Sequence, residues 1–124
     1  MTEKSKKTRG DKIVASVLQD IELVKRAFDS DEHPGKILQK LMEMHGVDES
    51  QVADRSNLSR AQISLLVGES RRVTATTALL LGKFFGVEPS LWTDAQARYD
   101  LKSIGDSCDI KARLHKIVPL DKAS

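Results

Sequence analysis

A single cysteine, Cys108, stands in the 124 residues, so no disulfide can form within the chain. Long apolar runs are missing as well. The longest, Ala78–Leu81, is far too short to span a membrane. The N-terminus carries charge but no apolar core followed by a small-residue cleavage site, which predicts a cytoplasmic protein without a leader and without a membrane partner. The three histidines, His33, His45 and His115, are far apart, and none belongs to a metal-binding spacing. There is no nucleophile elbow and no phosphate-cradling glycine loop. No catalytic residue, metal or cofactor is therefore expected, and the chain reads as a binding protein rather than an enzyme.

The net charge is a slight +2, so total charge argues little about nucleic acid. Its distribution is more informative. Residues 1–12 carry five Lys or Arg against two acids, and residues 13–34 carry two against five. Between Arg55 and Lys83 there are five basic residues against Glu69 alone, although starting that window at Asp48 cuts its net charge to +1. The basic patch supports a DNA partner only moderately.

The stretch Val47–Thr74 is what is there in place of catalytic chemistry. Asp48 with Gln51, and Ser59 with Gln62, have the spacing of capping boxes, so each pair opens a short helix. Asn57 between them tolerates the left-handed backbone that a tight turn demands. In the first helix Val52 and Ala53 point inward, and in the second Ile63, Leu66 and Val67 do. The opposite face of the second helix carries Arg60, Ala61, Gln62, Ser64 and Leu65. Such a helix-turn-helix reads DNA: Arg suits guanine, Gln suits adenine, Ser suits several bases and Leu suits a thymine methyl. An ordinary helical hairpin with a polar outer face and one exposed leucine satisfies the same pattern.

Around this motif the chain divides into four spans. Residues 1–10 form a basic polar tail. Residues 11–32 form an amphipathic helix in which Val14, Val17, Ile21, Val24 and Phe28 recur at steps of three and four, the rhythm of a helix seeking a partner surface. That partner is either its own domain or another protein. Residues 33–104 form the DNA-binding domain, beginning at Pro34, with Ile37, Leu38, Leu41 and Met42 inward and Gly46 as a stop. Thr74 caps a helix over 75–85 whose Leu79, Leu80 and Phe84 should complete the core, and Pro89 opens a helix to about Ser103 with Leu91, Trp92, Ala95 and Tyr99 on its apolar face. Residues 105–124 form a C-terminal arm, helical or extended.

Three stretches, HPGKILQKLMEMHGV, the helix-turn-helix through KFFG, and FFGVEPSLWTDAQARYDL, resemble the HigA-type antitoxins, a branch of the phage-repressor-like helix-turn-helix proteins. The similarity covers about His33–Leu101. The resemblance implies an all-α fold, a five-helix domain to which this chain adds its N-terminal amphipathic helix. It also implies a homodimer, repression of the chain's own operon, and neutralisation of a HigB-type toxin, a small basic ribonuclease that cleaves mRNA. The family's DNA-facing positions fall on Ser59, Arg60, Ala61, Gln62, Ser64 and Leu65, with Arg71 and Arg72 as the following basic pair. Val14, Val17, Ile21, Val24 and Phe28 are candidates for toxin binding. Trp92, Tyr99 and Leu101 are candidates for dimerisation, with the C-terminal arm. Where the family usually has Asn-Gly-Lys this chain has Gly68-Glu69-Ser70, which moves the expected left-handed glycine by one position. A stand-alone phage-type repressor without a toxin is the alternative.

Overall fold

Start and stop signals close to each helix set the architecture. The computed structural model describes residues 22–123. Residues 22–28 are helical (α1), followed by α2 (Pro34–His45), α3 (Glu49–Ser56), α4 (Arg60–Val67), α5 (Ala75–Phe85), α6 (Pro89–Gly105) and α7 (Cys108–His115), with a 3-10 turn at Leu120–Ala123. Among the described residues there is no strand, so the chain is all-α.

The caps explain these limits. Gly46 and Gly86 end α2 and α5 at φ of 64° and 69°, the left-handed conformation that costs glycine least. Thr74 and Ser107 accept the backbone N–H of Thr77 and Ile110 to open α5 and α7. Proline stands in the first turn of α2 and of α6, where its missing N–H is not needed.

The sequence His33-Pro34-Gly35 turns out to be architectural. His33 is buried, and its Nδ1 accepts the Gly35 N–H at 2.9 Å, capping α2 with an imidazole. Gly35 lies where α2 crosses α4: a Cβ built there would stand 1.7 Å from the Leu66 carbonyl oxygen. Only glycine permits that approach, and it fixes the end of α4 against α2.

The core gathers Ile37, Leu38 and Leu41 from α2, Val52 from α3, Ile63 and Leu66 from α4, Ala78 and Leu81 from α5, and Trp92 and Ala95 from α6. Arg55 of α3 lies over the Phe84 ring of α5 at 5.5 Å.

Several expectations are corrected here. On α5 the buried residues are Thr77, Ala78, Leu81 and Gly82, while Leu79 is 61 % exposed and Leu80 and Phe84 are half-buried. The unbroken run Ala78–Leu81 puts an apolar residue on every face, so its periodicity could not set the phase. Close packing sets it instead: a Cβ at Gly82 would lie 2.6 Å from the Val87 carbonyl oxygen. Phe28, a candidate for toxin binding, is 2 % exposed and meets Trp92 edge-on at 4.9 Å. Trp92, a candidate for dimerisation, is 0 % exposed. Both rings fill the chain's own core and offer no face to a partner. Arg98 of α6 also donates to the Phe28 carbonyl, and Val24 and Ala27 pack on the same core. Val14, Val17 and Ile21 lie outside the described residues. The C-terminal arm contains α7, which contacts α6 and buries none of its residues.

Candidate nucleic-acid interface

The α3–turn–α4 unit is closed by local bonds. Asp48 accepts the Gln51 N–H at 2.8 Å while Gln51 accepts the Asp48 N–H at 2.9 Å. Ser59 and Gln62 repeat the arrangement at 3.0 and 2.9 Å, so both capping boxes are complete. Asn57 takes φ 65°, the left-handed residue of the turn. Ile63 and Leu66 anchor α4 from within, and Val67 is half-buried.

The outer face of α4 then presents Arg60, Ala61, Ser64 and Leu65 to solvent, with Ser59 exposed at its start and Gln62 half-buried beside them. Leu65 is 39 % exposed. A leucine held open to water on an anchored helix suits an apolar contact such as a thymine methyl. Two of the polar residues are already engaged. The Gln62 side-chain oxygen belongs to the capping box, leaving its amide N–H groups free to donate. The Ser64 hydroxyl donates to Glu49 of α3. Arg60 and Arg71 have no ion-pair partner among the described residues.

The loop after α4 departs from the sequence expectation. Gly68 has φ −80°, and the left-handed position falls on Glu69, at φ 62°. The glycine moved by one residue but the backbone bend did not, because the Ser70 N–H reaches back to the Leu65 carbonyl at 2.8 Å and holds it. Glu69 then pairs with Lys36 at 3.6 Å. Arg71 and Arg72 are exposed beyond it, and Arg72 meets Asp100 of α6 at 2.5 Å. Gln96, buried at the centre of α6, accepts the Val73 N–H at 2.8 Å and donates to Asp100 at 3.0 Å.

Glu49, Gln96 and Asp100 were not legible as parts of this surface, since their partners are 15 to 28 residues away. The one signal was the four-residue spacing of Gln96 and Asp100, which places them on one face of a helix. His33 borders the same loop and stacks edge-on against Tyr99 at 4.9 Å. Burial pushes its pKa below the usual value, and the Arg72 charge adds to this, while Glu69 and Asp100 act the other way. Of the remaining dimerisation candidates, Tyr99 is half-buried and Leu101 is 75 % exposed. Leu101, Ile104, Leu114 and Ile117 are all exposed apolar residues at the C-terminal end. Among the described residues no cluster of His, Cys, Asp or Glu is able to hold a metal ion, and no helix is long and apolar enough to cross a membrane.

No family model matches the chain. Among individual proteins, virulence-associated protein I of Dichelobacter nodosus is 34 % identical over 89 residues, spanning 71 % of this chain and 80 % of the relative. Virulence-associated protein A′ of the same organism is 30 % identical over 83 residues, 66 % of this chain and 72 % of its own length. Among solved structures, the antitoxin HigA of Pseudomonas aeruginosa with the higBA promoter superposes with a TM-score of 0.68 at 26 % identity, over 73 % of this chain and 99 % of that one. A Pseudomonas aeruginosa protein in complex with its 28-base-pair operator DNA gives a TM-score of 0.67 at 26 % identity, over 73 % of this chain and 100 % of that one. An addiction module antidote protein of the HigA family from Coxiella burnetii gives 0.60 at 30 % identity, over 71 % and 96 %.

Proposed function

This chain belongs to the HigA-type antitoxins, and from that premise we propose that it represses its own operon by sequence-specific DNA binding and neutralises a HigB-type mRNA-cleaving toxin. The observation that carries the DNA half is the outer face of α4: Arg60, Gln62 and Leu65 on a helix whose position is fixed from within by Ile63, Leu66 and the Gly35 contact. Arg60 and Gln62 read base edges, Leu65 meets a thymine methyl, and Arg71 neutralises phosphate. Ser59 and Ala61 line the close approach to the groove. Ser64 contributes only as far as Glu49 releases its hydroxyl.

A helix of eight residues reads few base pairs, so the active form is a homodimer reading two half-sites about one helical turn, roughly 34 Å, apart. The exposed apolar residues Leu101, Ile104 and Leu114 are the surface we assign to that dimer, with Tyr99 at its edge. The toxin is assigned to the N-terminal segment. Its acids Asp20, Glu22 and Asp29 suit a basic ribonuclease, while Asp31 and Glu32 already pair with Lys102 and Lys40 of the domain. With Phe28 and Val24 committed to the core, its apolar contacts fall to Val14, Val17 and Ile21.

The test couples a reporter driven by the DNA upstream of this gene to co-expression of any small basic protein encoded beside it. Repression by this chain together with rescue from that protein's growth arrest is the expected result. Repression with no toxic neighbour identifies a stand-alone repressor instead, and absence of both overturns the reading.

A further inference from the structure

Resting on the DNA-binding reading of α4, we propose that Asp100 is an intramolecular competitor of DNA phosphate: it withholds Arg72 from the backbone and so sets how strongly this chain binds any duplex. Arg72 sits in the loop that follows the recognition helix, where a basic side chain faces phosphate. Its guanidinium Nη1 is instead 2.5 Å from Asp100 Oδ2. The two partners are unequal. The arginine side chain is 65 % exposed and tethered only by its own length, whereas the aspartate is 23 % exposed and fixed. Its Oδ1 accepts from Gln96 Nε2 at 3.0 Å, and the Gln96 oxygen accepts the Val73 N–H at 2.8 Å. Gln96 is buried, so the carboxylate stands on a rigid strut running from the core of α6 to the loop itself. A phosphate approaching this loop must displace a carboxylate already in place, beside a fixed negative charge. Arg71, one residue earlier, carries no such counter-ion among the described residues. The basic pair read from the sequence therefore acts as one cation.

The salt dependence of binding measures this directly, because each neutralised phosphate contributes about −0.9 to the slope of log K against log salt. The probe is a mixed-sequence duplex of about three helical turns, since the contact is to phosphate and needs no operator. Asp100→Asn keeps an oxygen for Gln96 while removing the charge. It is expected to tighten binding at low salt by about 2- to 5-fold per subunit, the range of an exposed ion pair, and to steepen the slope by about 0.9 per subunit, about 1.8 for the dimer. In an Arg72→Ala background the same substitution is expected to leave the slope unchanged, since no cation remains to be freed. Arg72→Ala alone is expected to leave the wild-type slope intact, and this holds even if Asp100→Asn fails to fold. A fall of about 0.9 per subunit, about 1.8 for the dimer, on Arg72→Ala would show the arginine already on phosphate and overturn the proposal. Weaker binding by a folded Asp100→Asn would make Asp100 a buttress for Arg72 and overturn it too. If the unmodified chain binds no duplex, the DNA-binding reading fails and carries this inference with it; in the other failures that reading stands.

Discussion

Replacing Gly35 with alanine drives a methyl group into the Leu66 carbonyl. The new Cβ stands 1.7 Å from that oxygen and 2.8 Å from its carbon, where ordinary contact begins near 3.4 Å. The opposing atoms are backbone, so no side chain can swing aside. Either α2 or the end of α4 must move by well over an ångström. α2 is held by the His33 cap and by four buried side chains, Ile37, Leu38, Leu41 and Met42. Overpacking of a close-packed core costs about 1–3 kcal/mol, and a backbone clash belongs at the upper end. Against this stands a gain of up to about 1 kcal/mol from replacing glycine in a helix. A net loss of roughly 2 kcal/mol follows, or about 8–16 °C in melting temperature for a domain of this size. Gly46→Ala is the control. Its site is open, with nothing within 4 Å, but its φ is +64°, so the cost is conformational only, about 1 kcal/mol. Urea denaturation followed by far-ultraviolet circular dichroism separates the two. Gly35→Ala should also lose operator binding beyond its loss of stability, since α4 shifts with the clash. A Gly35→Ala chain as stable as wild type, or less affected than Gly46→Ala, would refute it.

Phe28→Ala should destabilise the fold by about 3–5 kcal/mol, because it removes the ring packed against Trp92; a chain begun at Glu32 loses Val24 and Ala27 as well and should show no cooperative melt. Glu69→Gly should stabilise by up to about 1 kcal/mol, since it relieves a left-handed residue at φ 62°, and it should tighten duplex binding by removing an acid beside Arg71. Stability should also fall as pH drops below His33's unperturbed pKa of 6.5. Burial depresses the folded-state pKa, so the unfolded chain binds the proton first, and a protonated Nδ1 can no longer accept the Gly35 N–H. The contribution is complete above 6.5 and is lost towards the folded-state pKa. Urea midpoints measured across that window should converge on a pH-independent value for His33→Asn, which retains a capping oxygen.

What could be read from the sequence was whatever is decided within a few residues. Asp48 with Gln51, Ser59 with Gln62, Asn57, Thr74 and Gly46 all act on their own neighbours, and each stands where its chemistry placed it. The outer face of α4 followed from those limits and a single period. Illegible were the features decided by distant segments. The four-residue apolar run in α5 carries no phase of its own. Phe28 fits a partner-seeking stripe equally well whether it meets a partner or Trp92. Glu69 is left-handed because Ser70 bonds Leu65, not because glutamate favours it. The engagement of Ser64 with Glu49 and of Arg72 with Asp100 joins residues far apart in the chain. On the outer face of α4 and the loop after it, the sequence pattern said which residues would reach the surface but not which were already engaged.

The central claim is that the outer face of α4 reads base sequence, and Gln62→Glu tests it most directly. Glutamate keeps an oxygen for the Ser59 N–H, so the capping box and the fold survive; the amide donors that adenine recognition needs are lost, and the added charge weakens both duplexes alike and cancels in their ratio. Affinity for the chain's own operator and for a scrambled duplex is measured at one salt concentration, beside a urea melt. The account predicts unchanged stability and a loss of about 1–3 kcal/mol in discrimination between the two duplexes. Full discrimination by a folded Gln62→Glu chain would contradict it.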